Sequence, residues 1–222
     1  MKFLKTGATT RALTAAACTS ALFATSAIAA PFQNGSFEIG TLTNTATFDT
    51  LATGSTAITG WTVVGQGVDY MGGAWVGADG AREIDLLSCG TSGGVAQTFD
   101  TVPGGIYNVS FSMAGNPDGG VKTITATAAA ATANFTFNTA GFSGTNMGWA
   151  PRSFQFTATG ASTTLTILGG IQGGGSSCAG AALDNVAVTL LASPQTAVPL
   201  GGGFWAALAL MLAGVFALRK RA

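Results

Sequence analysis

Between residues 106 and 114 apolar and polar side chains alternate without a break. Tyr107, Val109, Phe111 and Met113 fall on one side, and Asn108, Ser110 and Ser112 on the other. A period of two over this length predicts an antiparallel strand with one face buried and one wet. A similar, weaker pattern recurs over 94–100, 121–129, 133–137, 153–158, 163–168 and 182–191, the last with Val186, Val188 and Leu190 alternating. The stretch 58–87 carries three short apolar-alternating pieces, 61–64, 68–71 and 82–87, separated by glycine turns, which predict further antiparallel strands. Pro103-Gly104-Gly105 and Asn116-Pro117-Asp118-Gly119-Gly120 mark tight turns. Residues 31–38 read as a turn leading into a first strand, and the polar residues 41–56 as a long loop with little β structure. About ten strands and no helix in the body predict an all-β fold, a two-sheet antiparallel jelly-roll sandwich.

The two ends break this pattern. Lys2, Lys5 and Arg11 precede an alanine-rich apolar segment and then Ser26-Ala27-Ile28-Ala29-Ala30, which contains an A-x-A site, so residues 1–30 read as a secretory signal peptide. Ala15-Ala16-Ala17-Cys18 offers a lipoprotein box instead, but the apolar run before Cys18 is short. At the other end, residues 200–218 hold no charge and Arg219-Lys220-Arg221 follows. A helix of that length spans about 28 Å, close to the hydrocarbon thickness of a bilayer. The basic cluster should stay cytoplasmic, which puts the body outside. The expected organisation is a signal peptide over 1–30, a sandwich domain over 31–191, a linker over 192–198 and an anchor over 199–222. The expected location is the cell envelope or surface, held by the membrane helix or released after processing.

Removing the ends changes the charge. The body keeps only Arg82, Lys122 and Arg152 against nine acidic residues, a net charge near −6, although the whole chain sums to zero. Such a surface disfavours nucleic acid and anionic lipid as partners. It is compatible with a cation or a neutral sugar. Two cysteines remain after export, Cys89 and Cys178. In an oxidising compartment they are expected to pair, since two thiols without a histidine make a poor metal site.

The chain has no histidine. Gly90-Thr91-Ser92-Gly93-Gly94 fits the form G-x-S-x-G, but it lacks both the usual base and a following helix, so it predicts no hydrolase. Asp69, Glu83 and Asp85 could pair as glycosidase carboxylates, with Glu83 and Asp85 alternating onto one strand face. A surface face or a hydrogen-bonded turn explains them with less, and no enzyme activity is expected. The aromatic residues point elsewhere. Trp75, Tyr70 and Trp149 could offer a flat surface to a pyranose ring while Asp69, Asp79, Gln97 or Asn116 bonds its hydroxyls. Trp61 is expected in the core, and Trp75, set among glycines, at the surface.

Several pieces taken in order resemble one family. They are Asn34-Gly35-Ser36-Phe37-Glu38, Gly60-Trp61, Val68-Asp69-Tyr70, Asp79-Gly80 with Ile84-Asp85-Leu86, Gly94-Val95-Ala96-Gln97-Thr98-Phe99, the run from Tyr107 to Asp118, Met147-Gly148-Trp149, and Leu183-Asp184-Asn185-Val186. The set is similar to the bacterial "choice-of-anchor C" proteins and to the DUF642 domains of plant cell walls. The resemblance implies a galactose-binding-like jelly roll, exported and tethered by a C-terminal anchor. The anchor itself resembles an exosortase-type sorting tail of the PEP-CTERM kind, with Val198-Pro199-Leu200, an apolar run and a basic end; Gly201-Gly202-Gly203 stands where that tail usually continues with Pro-Ala. Related carbohydrate-binding jelly rolls place a carboxylate like Glu38 beside one like Asp184, which implies a structural calcium ion on Glu38 and Asp184. Two functions follow as expectations. One is non-catalytic recognition of a polysaccharide; the other is a structural or adhesive role in an extracellular matrix by self-association, without a sugar pocket. The expected partners are a polysaccharide or matrix polymer, the export and sorting machinery, and the membrane.

Overall fold

A computed structural model describes residues 30–90, 92–172 and 178–194. The expected C-terminal helix and nearly all of the expected signal peptide lie outside the described residues. Among the described residues no helix is long and apolar enough to cross a membrane.

Eleven strands form among them: β1 (Phe48–Leu51), β2 (Thr62–Gly65), β3 (Val68–Met71), β4 (Ile84–Asp85), β5 (Gly93–Asp100), β6 (Ile106–Gly115), β7 (Val121–Ala128), β8 (Ala131–Asn138), β9 (Ala150–Thr157), β10 (Ser162–Gln172) and β11 (Ala181–Ala192). They build two antiparallel sheets, ordered β1-β3-β4-β11-β6-β9 and β2-β5-β10-β7-β8. From β4 to β7, and again from β8 to β11, successive strands change sheet, so each sheet covers the apolar face of the other. Every alternating run seen in the sequence becomes one of these strands. In β6 the side chains of Tyr107, Val109, Phe111 and Met113 are all buried, as the pattern requires. Trp61 is buried too, tilted on Phe37 at 5.3 Å and edge-on to Phe32 at 5.7 Å.

Two expectations fail and a third is sharpened. Residues 41–56 do hold little β structure, the four residues of β1, which pairs with β3 from Phe48↔Met71 to Leu51↔Val68. This four-residue edge strand is too short to show a period. Conversely, no strand follows 31–38. Asn34 and Phe37 take φ of 52° and 59°, which turns the chain, and only the single bridge Gly40↔Ile58 forms. The piece 82–87 shrinks to the two residues of β4, since the Arg82 amide donates to the Glu38 carboxylate at 2.8 Å rather than to a strand.

The turn at Asn34 is a junction. The Asn34 amide donates to the carbonyls of Ile39 and Thr59, each at 2.8 Å, and its backbone carbonyl accepts the Trp61 indole N–H at 2.9 Å. Next to it, the Gly35 carbonyl accepts the Val186 amide at 2.8 Å. Here β11 is irregular, its register slipping between Asp184 and Ala187 with Asn185 at φ 50°. The bulge re-aims the strand beside the N-terminal turn. Cys89 and Cys178, 89 residues apart, are joined in a disulfide that ties the segment after β4 to the segment before β11.

Candidate functional site

The site is built on the outer face of the six-stranded sheet. Strand parity sets it. Tyr70, Ile84, Leu183 and Met113 lie across one another in register and point into the core, so their neighbours Asp69, Asp85, Ala182 and Ala114 point outward. Thr50 of β1 joins that outward row opposite Asp69. The loop between β3 and β4 then folds back over this face and divides it in two.

On one side lies a cleft of about 560 Å³. Its floor is the row Thr50, Asp69 and Asp85, with Phe48 and Met71 in the next row. Trp75 of the β3–β4 loop forms one wall, and the Cys89–Cys178 bridge, Asn116 and Asp118 the others. Trp75 is half-buried, packed on the core cluster. Its loop is braced from behind, where the Trp149 indole N–H donates to the Val76 carbonyl at 2.8 Å and the Val76 amide to the Gly144 carbonyl at 2.9 Å.

The two floor carboxylates differ in role. Asp85 is saturated: its Oδ1 accepts the amides of Leu87 at 3.1 Å and Gly180 at 2.8 Å, and its Oδ2 accepts the Asn116 side-chain amide at 2.8 Å. Burial nevertheless pushes it up to about 7, with the Asp69 charge adding to the shift. Among the described residues Asp69 accepts only the Thr50 hydroxyl, at 2.7 Å, and burial raises it above the usual carboxylate range. Lys122, fully buried at the start of β7, donates its ammonium to the Ala179 carbonyl at 2.7 Å.

On the other side of the loop, Glu83 is fully buried, and among the described residues neither of its carboxylate oxygens has a hydrogen-bond partner. Glu83 is pushed up to about 8, first by burial, then by the charges of Asp184 and Glu38. A methyl placed on Gly77 would lie 3.2 Å from Glu83 Oε2 and 3.4 Å from Asp184 Oδ2, so the glycine lets the loop pass between the two acids. Asp184 Oδ2 accepts the amides of Ala78 and Asp79 at 2.7 and 2.8 Å, and Glu38 Oε1 those of Ala81 and Arg82 at 2.9 and 2.8 Å. Two carboxylates thus pin the second half of the loop. Asp184 is pushed up to about 6, chiefly by burial. No group of three or more acidic, cysteine or histidine side chains among the described residues stands ready to hold a metal ion.

Of the residues singled out for sugar contact, the structure brings Trp75, Asp69 and Asn116 to the cleft. It does not bring the others. Tyr70 is fully buried, and its hydroxyl donates to the Phe37 carbonyl and accepts from the Arg82 guanidinium at 3.1 Å, with that guanidinium 5.4 Å from the ring centre. Gln97 is buried, with both ends of its amide bonded to the Gln33 backbone at 2.8 and 2.9 Å. Trp149 serves the loop from behind, and Asp79 is exposed on the far side of it. Glu83 and Asp85 do share a face, but the loop covers one and leaves the other under the cleft. The G-x-S-x-G segment runs directly into β5, which begins at Gly93.

Two antiparallel sheets exchanging successive strands, with a cleft on the outer face of one, define the jelly-roll class. Residues 30–189 match the family model described as "Protein of unknown function (DUF642)", and the chain belongs to that family. No curated protein matches the chain. Similar solved structures include a family 61 carbohydrate-binding module in complex with β-1,4-galactotriose, at 14% identity over 72% of this chain and 97% of that one, with a TM-score of 0.43. A family 35 module from Paenibacillus barcinonensis matches at 19% identity over 64% and 98%, with a TM-score of 0.42. A xylan-binding family 22 module from the same organism matches at 15% identity over 70% and 97%, also with a TM-score of 0.42.

Proposed function

We propose that this is an exported, non-catalytic domain that binds carbohydrate in the cleft over Asp69. The observation that carries the reading is the cleft's make-up: an aromatic wall in Trp75 facing a floor and rim of acceptors and an amide, the mixture that sugar sites use. Asp85 cannot join catalysis as one of a carboxylate pair, since three donors hold it beneath the surface. Replacing Trp75 with alanine should weaken a bound oligosaccharide about tenfold, roughly 1.4 kcal/mol, and lower the midpoint of unfolding as well, since the half-buried indole also packs on the core, while the protein still folds. Titration calorimetry against a panel of neutral polysaccharide fragments reads this, and equal affinity in the two proteins would remove the cleft from consideration. The signal peptide and the membrane-anchoring tail belong to the same reading and put the domain at the cell envelope or surface.

Calcium is part of the proposal. What supports it is Glu83, whose two orphaned oxygens lie inside the protein under the charges of Asp184 and Glu38. The three carboxylates are not grouped as a ready metal site, so the ion would have to draw them together, and it would supply only charge compensation. The expected pH dependence has a definite sign. Glu83 titrates higher folded than unfolded, so without metal it favours the fold at low pH, and that contribution drains away as pH rises from its ordinary 4.5 toward about 8. With chelator, the melting temperature should therefore fall across this interval, and excess calcium should restore it at the alkaline end. A melting curve indifferent to chelator at every pH would eliminate the ion.

One observation favours the matrix-forming alternative. The edge strand β8 runs Ala131–Asn138 without a charge, and the Arg152 guanidinium meets its Thr136 carbonyl at 3.1 Å. Concentration-dependent assembly without added glycan would support that reading.

A further inference from the structure

The cleft is acidic in a way that a neutral ligand leaves uncompensated. Asp69, Asp85 and Asp118 line it, and among the described residues no lysine or arginine does. The three basic side chains among the described residues are engaged elsewhere: Arg82 on Tyr70 and Gly40, Arg152 on Pro151 and Thr136, and Lys122 on Ala179. Lys122 is near enough to feel Asp85 and Asp118, but burial weakens its own hold on the proton. Asp69 is the sharper case. It is only 7% exposed, yet among the described residues one of its oxygens accepts the Thr50 hydroxyl and the other accepts nothing. That oxygen opens onto the cleft and is not sealed in the protein, and in so partly desolvated a place a charged donor meets a carboxylate best.

We infer that the cleft takes a glycan bearing a protonated amine, of the glucosamine type, in which an ammonium group lies against Asp69 while a sugar face packs on Trp75. This rests on the carbohydrate reading and narrows it. The ammonium supplies three donors, enough for the open oxygen of Asp69 and one more acceptor on the floor or rim. Acidic glycans are rejected by the same groups through like-charge contact in a desolvated space.

The test is calorimetric titration of the full-length chain, in mildly acidic buffer, with linear tetrasaccharides of glucosamine, N-acetylglucosamine, glucose and galacturonic acid. The glucosamine form should bind about tenfold or more tighter than the glucose form, and the galacturonic form should not bind. Asp69→Asn, nearly the same shape, should bring the glucosamine-to-glucose ratio close to one. Asp100→Asn, exposed on the opposite sheet, should leave it unchanged. Added salt should also shrink the ratio in the wild type, a readout that needs no variant. Glucose and glucosamine forms binding equally well would overturn the amine and leave the carbohydrate reading standing. An equal loss in Asp100→Asn would overturn it as well, by reducing the preference to net charge. Binding of none of the four would overturn both.

Discussion

Replacing Cys89 and Cys178 together with serine should lower the free energy of unfolding by about 4 kcal/mol. The bridge closes a loop of 89 residues, and in the chain-entropy model such a loop restricts the unfolded ensemble by that order of energy. The folded state has little reason to change. Asp85 Oδ1 already clasps the amides of Leu87 and Gly180, each two residues from a cysteine, so the segments the bridge joins stay together without it. The loss should therefore arise in the unfolded chain. Urea titration should show a lower midpoint together with a steeper slope, because the unbridged chain exposes more surface on unfolding. Reducing agent should do the same to the wild type. A loss under about 1 kcal/mol would show that the bridge is strained enough to forfeit its entropic benefit.

Much of the fold is visible in the sequence because one face of each sheet is dry. Where a strand lies between core and solvent, as β6 does, the period of two is enforced by burial, and Tyr107 to Met113 display it openly. The edge strand β1 feels no such pressure along four residues, and Phe48 to Leu51 vanish into a polar stretch. The candidate site is less legible for a related reason. Its floor joins Thr50, Asp69 and Asp85 from three strands, one of which the pattern hides. Parity does place Glu83 and Asp85 on one face, but nothing in the sequence says that the loop from Gly72 to Ala81 will bury the first and leave the second under open space. That depends on Gly77 passing between two acids. Tyr70 and Gln97 mislead in the opposite sense. Each has a polar tip suited to a ligand, and each spends it inside the protein, on the Phe37 carbonyl and on the Gln33 backbone. A residue's type announces what it can bond, whereas its partner is decided by segments distant in the chain. The unpaired Glu83 carboxylate could have been suspected only from its position between two strand-face apolar runs.

Gly35→Ala should cost about 3 kcal/mol or more, because the methyl has nowhere to go. It would lie 1.7 Å from the Val186 carbonyl oxygen and 2.8 Å from its carbon, with a Phe32 ring atom at 3.2 Å behind. The first two are backbone atoms in the irregular part of β11, and the Val186 amide is itself bonded to the Gly35 carbonyl, so neither side can yield without breaking that contact. Gly35 is not in the left-handed region, which makes the cost one of approach alone. Gly54→Ala is the matching control: it sits at φ 84° with nothing within 4 Å of the new methyl, so it bears only the conformational penalty of roughly 1–2 kcal/mol. The consequence reaches beyond stability. Forcing Gly35 from Val186 moves Glu38 relative to Asp184, three residues and two residues along their segments, and loosens both carboxylate contacts to the loop that carries Trp75. The variant should therefore respond less to calcium in melting experiments than the wild type and bind glycan more weakly, while Gly54→Ala keeps both responses. Should the two alanines prove equally mild in urea titration, the close contact of the N-terminal turn with β11 would not be a structural requirement, and the coupling of that turn to the cleft would fall with it.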